Sequence, residues 1–490
     1  MGQMNEINLN AIARDTMIRY GFEPGFPGSV MQEVNALSGD AVTGRAPSAV
    51  RDLTGLLWSS IDNEDSLDLD QLEYAERGNN GEILVRVAIA DVDAFVPKGS
   101  KTDKHASANG NSVYTGIETF PMLPERLSND LSSLRAGVKR LAVVVEFAVL
   151  QQGSIRQGDI YPAVVENRAK LVYDVVGAWL ENKGPAPKEF ALIPGLEEQV
   201  KIQDEASVRL QNFRMELGAL DLESLETRVV KENGTIVALV LPQENQAQHL
   251  IENFMIAANR TVMDRLGKAG VMAIQRVVRT PKNWNGLREL AAEHHEFLPM
   301  EPNVLALSKF LLKRKAVNRE QFPDLSLAVV KLLGPGEYEM LEPGKSPVGH
   351  FGLAISDYTH ATAPNRRYVD MVIQRLIKAV ILGKPSPYTQ KELTEYAAWC
   401  TDRDKASKKV ERFMRKVEAA VLLQGRVGDD FEGIVTGASE KGTYVRLMDP
   451  PVEGKVVRGA ERMHVGQKVR VRLTGLNPYE GHIDLARIRG

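Results

Sequence analysis

The sequence predicts an α+β fold: a central domain of mixed sheets and helices, a short helical N-terminal segment before it and a C-terminal OB-fold β-barrel after it. Three observations predict this arrangement. Apolar runs typical of strands dominate residues 51–150, and apolar residues recur at helical spacing after residue 249. Short β-rich runs separated by turn residues occupy residues 428–490, as in a small barrel. A chain of 490 residues also exceeds what one compact core usually holds.

The first segment is expected over residues 1–46. It contains two predicted helices, residues 7–20 and 29–37, joined by a Pro- and Gly-containing turn. A helix-turn-helix is one interpretation, and an unspecific one. The central domain is then expected over residues 47–425 and the barrel over residues 426–490.

Within the central domain, alternating apolar residues predict strands first and helices later. The expected strands are residues 53–61, 72–76, 83–92 and 141–150. The expected helices are residues 249–266, 367–382 and 390–423.

Cysteine usage and hydropathy bear on location. Cys400 is the one cysteine, so no intrachain disulfide can form, which fits a reducing compartment. The first 30 residues lack the apolar run of a signal peptide, and the apolar stretch 141–150 is broken by Glu146 and too short to span a bilayer. A cytoplasmic protein without membrane contact is expected.

Charge is distributed unevenly along the chain. The net charge of −3 argues against a nucleic-acid partner, but residues 401–490 carry 18 Lys+Arg and 13 Asp+Glu, a net charge of +5. A basic C-terminal region is compatible with binding a phosphate backbone. A solvated basic surface remains the alternative.

An acidic loop lies between two predicted strands at residues 62–71. Five carboxylates in so short a segment repel one another unless they are solvated or bind cations. Asp68 and Asp70 are two residues apart, so in an extended segment they share a face, while Leu67 and Leu69 point the other way. Hard oxygen ligands suit Mg²⁺, with Mn²⁺ as a substitute. A solvated acidic loop is the alternative.

Two arginines begin the helix predicted from residue 367. Thr362 is a reasonable cap for it, with Pro364 in its first turn. Arg366 and Arg367 are unfavourable at a helix N-terminus unless an anion offsets them, and backbone N–H groups with an arginine fork form a phosphate site. Pairing with a nearby carboxylate such as Asp370 is the alternative.

These two segments resemble the ribonuclease II and ribonuclease R family. The aspartate signature Ile-Asp-x-x-x-x-x-Asp-x-Asp at residues 61–70 and the run Tyr-Thr-His-Ala-Thr-Ala-Pro-Asn-Arg-Arg-Tyr-Val-Asp at 358–370 match its motifs in order. The resemblance implies that Asp62, Asp68 and Asp70 bind divalent metal and that Arg366 stabilises the transferring phosphate. The family's fourth aspartate is Gln71 here, a neutral oxygen donor.

The resemblance extends over further stretches. It implies that Tyr114 stacks on a nucleotide, although by itself this residue reads as a core aromatic. Glu411 matches a family glutamate near the RNA channel. The C-terminal region resembles an S1-type RNA-binding barrel, with Phe431 and Tyr444 as candidate stacking residues. The further candidate RNA contacts are Arg367 and Arg446, and the alternative for Phe431 is the barrel core.

The resemblance implies a processive 3′→5′ exoribonuclease, acting as a monomer, that degrades single-stranded RNA to nucleoside 5′-monophosphates. The family's two cold-shock domains would not fit in 46 residues, so a different RNA entrance is expected. Two other functions stay open. Gln71 fits a catalytically weak RNA-binding regulator, and the acidic loop alone would also fit a metal-dependent deoxyribonuclease or other phosphodiesterase.

Overall fold

The computed structural model describes most of the chain. The described ranges are residues 7–38, 50–223, 227–232, 235–241, 243–319, 321–439, 442–464 and 466–488. Residues 39–49, between the N-terminal helices and the central domain, lie outside them.

A seven-stranded sheet forms the centre of the molecule, in the order β1-β8-β7-β4-β3-β2-β9. Its strands are β1 (Arg51–Asp52), β2 (Ser59–Asp62), β3 (Gln71–Arg77), β4 (Ile83–Ala90), β7 (Lys139–Val149), β8 (Ile155–Glu166) and β9 (Ala169–Val172). The outermost pairs, β1 with β8 and β2 with β9, are parallel, and the others are antiparallel. The strand predicted over residues 53–61 begins only at residue 59, because the Trp58 indole turns back to donate to the Leu53 carbonyl.

Among the described residues, ten helices follow or lie between these strands, and those that begin at Tyr173, Leu196, Gln246 and Tyr368 contact the sheet. The ten are α3 (Lys101–Asn109), α4 (Tyr173–Leu180), α5 (Lys188–Leu192), α6 (Leu196–Glu216), α7 (Gln246–Lys268), α8 (Trp284–Glu293), α9 (Val304–Val317), α10 (Phe322–Leu333), α11 (Tyr368–Ile381) and α12 (Gln390–Leu422). Phe254 of α7 meets Phe147 of β7 edge to face, with ring centroids 6.3 Å apart. Apolar residues of β4, β7 and α7 are fully buried together, which explains the apolar runs in the sequence.

Helix α11 begins later than predicted. Its first residue is Tyr368, and Thr362 makes no cap because Arg367 occupies the N-cap position. The preceding backbone is bound to another segment instead: Ser112 N donates to the Arg366 carbonyl at 2.9 Å, and Tyr368 N donates to the Gly110 carbonyl at 2.8 Å. These bonds fix residues 366–368 beside residues 110–112, with Arg367 in an extended conformation.

The N-terminal helices are α1 (Leu9–Arg19) and α2 (Gly28–Asn35), close to their predicted bounds. Helix α1 packs against α12 through a cluster that includes Ala13, Met17 and Val410. Helix α2 packs against α3, with Val30 and Val34 in the main core. The two helices are therefore parts of two different packed clusters.

Within the described ranges, three two-stranded sheets lie outside the central one. They are β5 (Val113–Tyr114) with β6 (Thr119–Phe120), β10 (Arg228–Glu232) with β11 (Thr235–Val240), and β12 (Ala273–Val277) with β13 (Glu337–Leu341).

The C-terminal strands close into a five-stranded barrel in the order β14-β15-β16-β18-β17. They are β14 (Asp430–Ser439), β15 (Gly442–Leu447), β16 (Glu453–Arg458), β17 (Lys468–Asn477) and β18 (His482–Arg487). Ala419, Ala420 and Leu423, at the end of α12, belong to the barrel's own apolar core. The predicted α+β fold with a C-terminal OB-like barrel is confirmed.

None of the described helices is both long enough and apolar enough to cross a lipid bilayer.

Candidate active site

The acidic loop joins β2 to β3 at one end of the central sheet. Asp62 is the last residue of β2, and Gln71 is the first residue of β3. Two backbone hydrogen bonds fix the end of the loop: Ala90 N donates to the Asp70 carbonyl at 2.9 Å, and Leu134 N donates to the Leu69 carbonyl at 3.0 Å. Leu69 is buried as expected, whereas Leu67 is 60% exposed, so only one of the two leucines anchors the loop.

Asp70 is the most buried carboxylate of the loop, at 2% exposure. Its Oδ1 accepts a hydrogen bond from Asn365 N at 3.0 Å, and its Oδ2 lies 3.4 Å from Arg366 Nε without a hydrogen bond of its own. Burial raises the pKa of Asp70 to about 8, against the lowering effect of Arg366. This carboxylate therefore carries a desolvation cost that one exposed guanidinium offsets only in part.

Asp62 and Asp68 are half-buried on either side of the loop. Asp62 Oδ1 accepts from Ser66 Oγ at 2.6 Å, and Asp68 Oδ2 accepts from the Tyr114 hydroxyl at 3.5 Å. Burial raises the pKa of Asp68. The two aspartates thus use neighbouring hydroxyls as their donors.

The two arginines that precede α11 behave differently. The Arg366 side chain is 44% exposed and faces Asp70, so its fork is open to a further anion. Arg367 Nη2 pairs with Asp370 Oδ1 at 2.8 Å, and Asp370 itself is fully buried. Pairing with a carboxylate, the alternative left open for Arg367, is therefore what the structure shows, and its predicted RNA contact has no support here.

Tyr114 lies beside the loop on the short strand β5. Its side chain is 43% exposed, which contradicts the interpretation as a core aromatic. Its backbone N–H donates to Glu411 Oε1 at 3.4 Å, so α12 helps to position it. Burial of the hydroxyl and the charge of Asp68 raise the pKa of Tyr114, which therefore stays a hydrogen-bond donor at neutral pH.

A carboxylate that the motifs did not single out lies directly behind the loop. Glu73, the third residue of β3, is fully buried, and neither of its Oε atoms has a hydrogen-bond partner in the described part of the chain. Burial, followed by the charge of Asp62, raises the pKa of Glu73, and the charges of Asp62 and Glu73 add to the raised pKa of Tyr173. A charged residue at an inward-facing strand position is the signal that would have found it.

The donors at this sheet end are carboxylate and amide oxygens, which suit Mg²⁺ or Mn²⁺. The buried Asp70 Oδ2 without a hydrogen bond fits such an ion. No three His, Cys, Asp or Glu side chains among the described residues already converge as a metal site, since Asp62 and Asp68 are turned to Ser66 and Tyr114. A cation would draw these carboxylates together.

A cleft of about 930 Å³ opens next to the loop. Tyr114 and Tyr173 line it, together with residues 63–65, 116–119 and 228–230. The cleft is large enough to admit an extended polymer end beside the candidate metal ligands.

The three barrel residues predicted to bind RNA differ in how far their side chains are exposed. Phe431 is 6% exposed within the barrel core, so its ring offers no face to a base and the stacking prediction was wrong. Arg446 Nη2 pairs with Asp324 Oδ2 of α10 at 2.9 Å and is mostly buried, so it joins the barrel to α10 and does not face solvent. Tyr444 is partly exposed, so its stacking on RNA stays a prediction.

Two parts of the chain match known protein families. A sequence model of the RNB domain matches residues 50–383, and one of the C-terminal S1 domain of RNase II-type exonucleases matches residues 429–488. The chain is 31% identical to ribonuclease R of Aquifex aeolicus over 458 residues, covering 91% of this chain and 63% of that protein. It is 32% identical to exoribonuclease 2 of Escherichia coli over 406 residues, covering 81% and 61%.

The fold has a close counterpart among solved structures. The apo form of Mycoplasma genitalium RNase R superposes with a TM-score of 0.87 at 25% identity, covering 98% of this chain and 78% of that one. The chain thus spans slightly less than two thirds of the length of the two relatives compared by sequence.

Proposed function

We propose, from the premise that this chain belongs to the ribonuclease II and ribonuclease R family, that it is a divalent-metal-dependent exoribonuclease. It would degrade single-stranded RNA processively from the 3′ end and release nucleoside 5′-monophosphates. Its organisation into residues 1–46, 47–425 and 426–490, with the middle part catalytic, belongs to the same proposal.

One observation carries the proposal: an acidic loop, an arginine and a tyrosine from three distant segments meet at one sheet end. Asp70 lies 3.4 Å from Arg366, and Asp68 accepts from Tyr114. The segments are joined by backbone hydrogen bonds between residues 110–112 and 366–368. Carboxylates for a cation, a fork for phosphate and an aromatic ring for a base are what phosphodiester hydrolysis on RNA requires.

Asp62, Asp68 and Asp70, with Gln71 as a weaker donor, would hold the metal. A bound Mg²⁺, or Mn²⁺ in its stead, would supply an activated water and neutralise charge at the scissile phosphate. The protein's own contribution is rigidity, since the Asp70 carbonyl and carboxylate are each fixed by a backbone N–H group. A ligand held in this way does not have to be reorganised when substrate arrives.

Arg366 would bind the phosphoryl oxygens. Its guanidinium is half-exposed and its backbone is fixed beside Ser112, so the fork can turn from Asp70 towards a phosphate without moving the chain. As water attacks phosphorus and the bond to the 3′-oxygen breaks, negative charge grows on these oxygens, and Arg366 would neutralise it.

Tyr114 would hold the RNA so that the scissile phosphodiester bond lies at the aspartates. Its exposed ring borders the cleft, and its backbone is tied to Glu411 of α12. Stacking on a base near the 3′ end would keep the scissile phosphate at the aspartates through each turnover. In the barrel, Tyr444 is the remaining candidate for stacking on RNA.

The proposal is tested with one oligoribonucleotide labelled at either end and a matched DNA strand, with Mg²⁺ or with EDTA. A 3′ label should appear at once as mononucleotide, and a 5′ label should pass from full length to a short limit product without intermediates. EDTA should stop both reactions, and DNA should persist.

Two results would contradict the proposal in different ways. RNA binding without any product in Mg²⁺ or Mn²⁺ would identify a catalytically inactive RNA-binding protein. Equal degradation of DNA would identify a phosphodiesterase that does not read the sugar.

A further inference from the structure

Glu73 has no role in the site as proposed so far. Its side chain is fully buried, and neither Oε atom has a hydrogen-bond partner in the described part of the chain. A buried carboxylate without partners is costly, and such groups persist in proteins mainly where a cation or a ligand satisfies them. The position of Glu73 indicates which cation.

Glu73 lies on the strand that begins with one candidate metal ligand, Gln71, and beside the strand that ends with another, Asp62. It pairs with Ser59 of β2, and after burial it is the charge of Asp62 that raises the pKa of Glu73. Gln71 and Glu73 are two apart on the same strand, so their side chains lie on one face of the sheet. Glu73 therefore lies directly behind Gln71, one step deeper on the face that Gln71 shares.

The two residues complement each other chemically. Gln71 offers a neutral amide oxygen at the start of β3, and Glu73 offers a negative charge two residues further along the strand, on a side chain one methylene longer than an aspartate's. We propose that Glu73 is a ligand of the divalent cation held by Asp62, supplying the negative charge that Gln71 lacks. This inference rests on the proposed function, because it deepens the metal site of that function.

A metal-ligand role for Glu73 and a purely structural role predict different effects on cation affinity. A carboxyl group that is merely buried would be neutral, and its replacement by an amide would leave cation affinity unchanged. A ligand would be needed for affinity in the absence of RNA, and its loss would be repaired by a carboxylate at position 71, which opens onto the same cation.

The experiment measures Mn²⁺ binding to the full chain without RNA, by electron paramagnetic resonance. Glu73→Gln should raise the dissociation constant about tenfold or more, the usual range for disturbing a metal's supporting carboxylates. Glu73→Asp, which keeps the charge but withdraws it by one methylene, should also weaken binding. Gln71→Asp combined with Glu73→Gln should restore it.

Glu76→Gln is the matched control, since Glu76 lies on the same strand and pairs with Arg86 on the other face. It should leave Mn²⁺ binding unchanged. Thermal unfolding separates loss of a ligand from loss of the fold: Glu73→Gln should raise the melting temperature of the metal-free protein, because it removes a buried carboxylate without partners. The further rise on adding Mn²⁺ should shrink.

Wild-type affinity for Mn²⁺ in Glu73→Gln would overturn the inference, as would a double variant no better than Glu73→Gln alone. The outcome is independent of the nuclease assay. If Mn²⁺ binding depends on Glu73 but the wild type degrades no RNA, the proposed function fails and the ligand role of Glu73 stands.

Discussion

The acidic loop and the C-terminal barrel both carry charged side chains, and they differ in how those charges are compensated. At the loop, Asp70 Oδ2 and both Glu73 oxygens are buried without hydrogen bonds. In the barrel, Arg446 pairs with Asp324, and Arg472 pairs with Asp430 at 2.7 Å. Glu73 has no oppositely charged partner among the described residues, whereas both barrel arginines are paired with carboxylates, although Arg446 Nη1 and Asp324 Oδ1 also lack hydrogen bonds.

This difference teaches how to weigh a motif residue. Burying an unpaired carboxylate costs free energy that the rest of the fold must supply, so its presence at a cleft indicates a missing ligand. An arginine that is paired with a carboxylate of the same chain already has an anionic partner, so its first role is to stabilise the fold. If the two regions divide in this way, substitutions at the acidic loop should impair catalysis, whereas substitutions of paired or buried barrel residues should first change stability.

Asp70→Asn should abolish hydrolysis while leaving RNA affinity nearly intact. The amide keeps the hydrogen bond from Asn365 N but removes the charge that a cation requires. Single-turnover assays together with binding isotherms would measure both effects. Release of mononucleotides at the wild-type rate would show that the loop is not the active site.

Arg366→Ala should lower turnover roughly 10²- to 10³-fold, the usual loss for a charge partner of the transition state. The expected effect is on the rate at saturating RNA, because the exposed guanidinium lies beside Asp70 and the backbone bond from Ser112 does not depend on the side chain. Arg367→Ala is a poor control, since it unpairs the buried Asp370. A change confined to RNA affinity would make Arg366 a phosphate anchor.

Phe431→Ala should destabilise the barrel by about 3–5 kcal/mol, the usual cost of removing a core phenyl ring. Tyr444→Ala should leave stability nearly unchanged and weaken RNA binding by about 1–3 kcal/mol. Thermal unfolding and RNA isotherms on both variants measure the contrast. An RNA defect for a fully folded Phe431→Ala would restore the stacking role.

Tyr114→Ala should lengthen the limit product, since one stacking contact contributes about 1–3 kcal/mol per base and short RNA would dissociate sooner. Tyr114→Phe, which keeps the ring and loses only the bond to Asp68, should preserve the product length. Product sizing on a gel measures both. Identical ladders for all three proteins would remove Tyr114 from the RNA path.

Arg446→Met and Asp324→Asn, alone and together, should show a coupling of about 1 kcal/mol in the free energy of unfolding. The ion pair is only slightly exposed, so removing one partner leaves the other charge poorly solvated. RNA affinity of Arg446→Met should stay near that of the wild type. A large RNA defect without coupling would return Arg446 to the nucleic-acid surface.

The sequence was informative where function constrains it. The motifs brought Asp70 and Arg366 to one site although 295 residues separate Asp70 from its partner Asn365. The sequence was less informative where partners are set by tertiary packing. Arg446 pairs with the carboxylate of Asp324, 122 residues away, and no local sequence pattern predicts that contact.

Two further features were missed for local reasons. Strand β8 spans 12 residues but contains Gly158 and Pro162, which break the strand pattern. Its pairing along most of β7 overrides that weak propensity. The true start of α11 was missed because the backbone of residues 366–368 is bound to residues 110–112, a contact that no capping rule contains.

The 33-residue helix α12 joins the two regions compared above. At 1.5 Å per residue it is a rod of about 50 Å. Glu411 within it contacts Tyr114, and its last turns lie in the barrel core. Because the end of α12 packs inside the barrel, this helix holds the barrel in place, and among the described residues no flexible linker separates the two. The part of α12 between Glu411 and Ala419 sets the separation of the barrel from the cleft, about 12 Å along the helix. An RNA bound as proposed needs a matching reach to contact both.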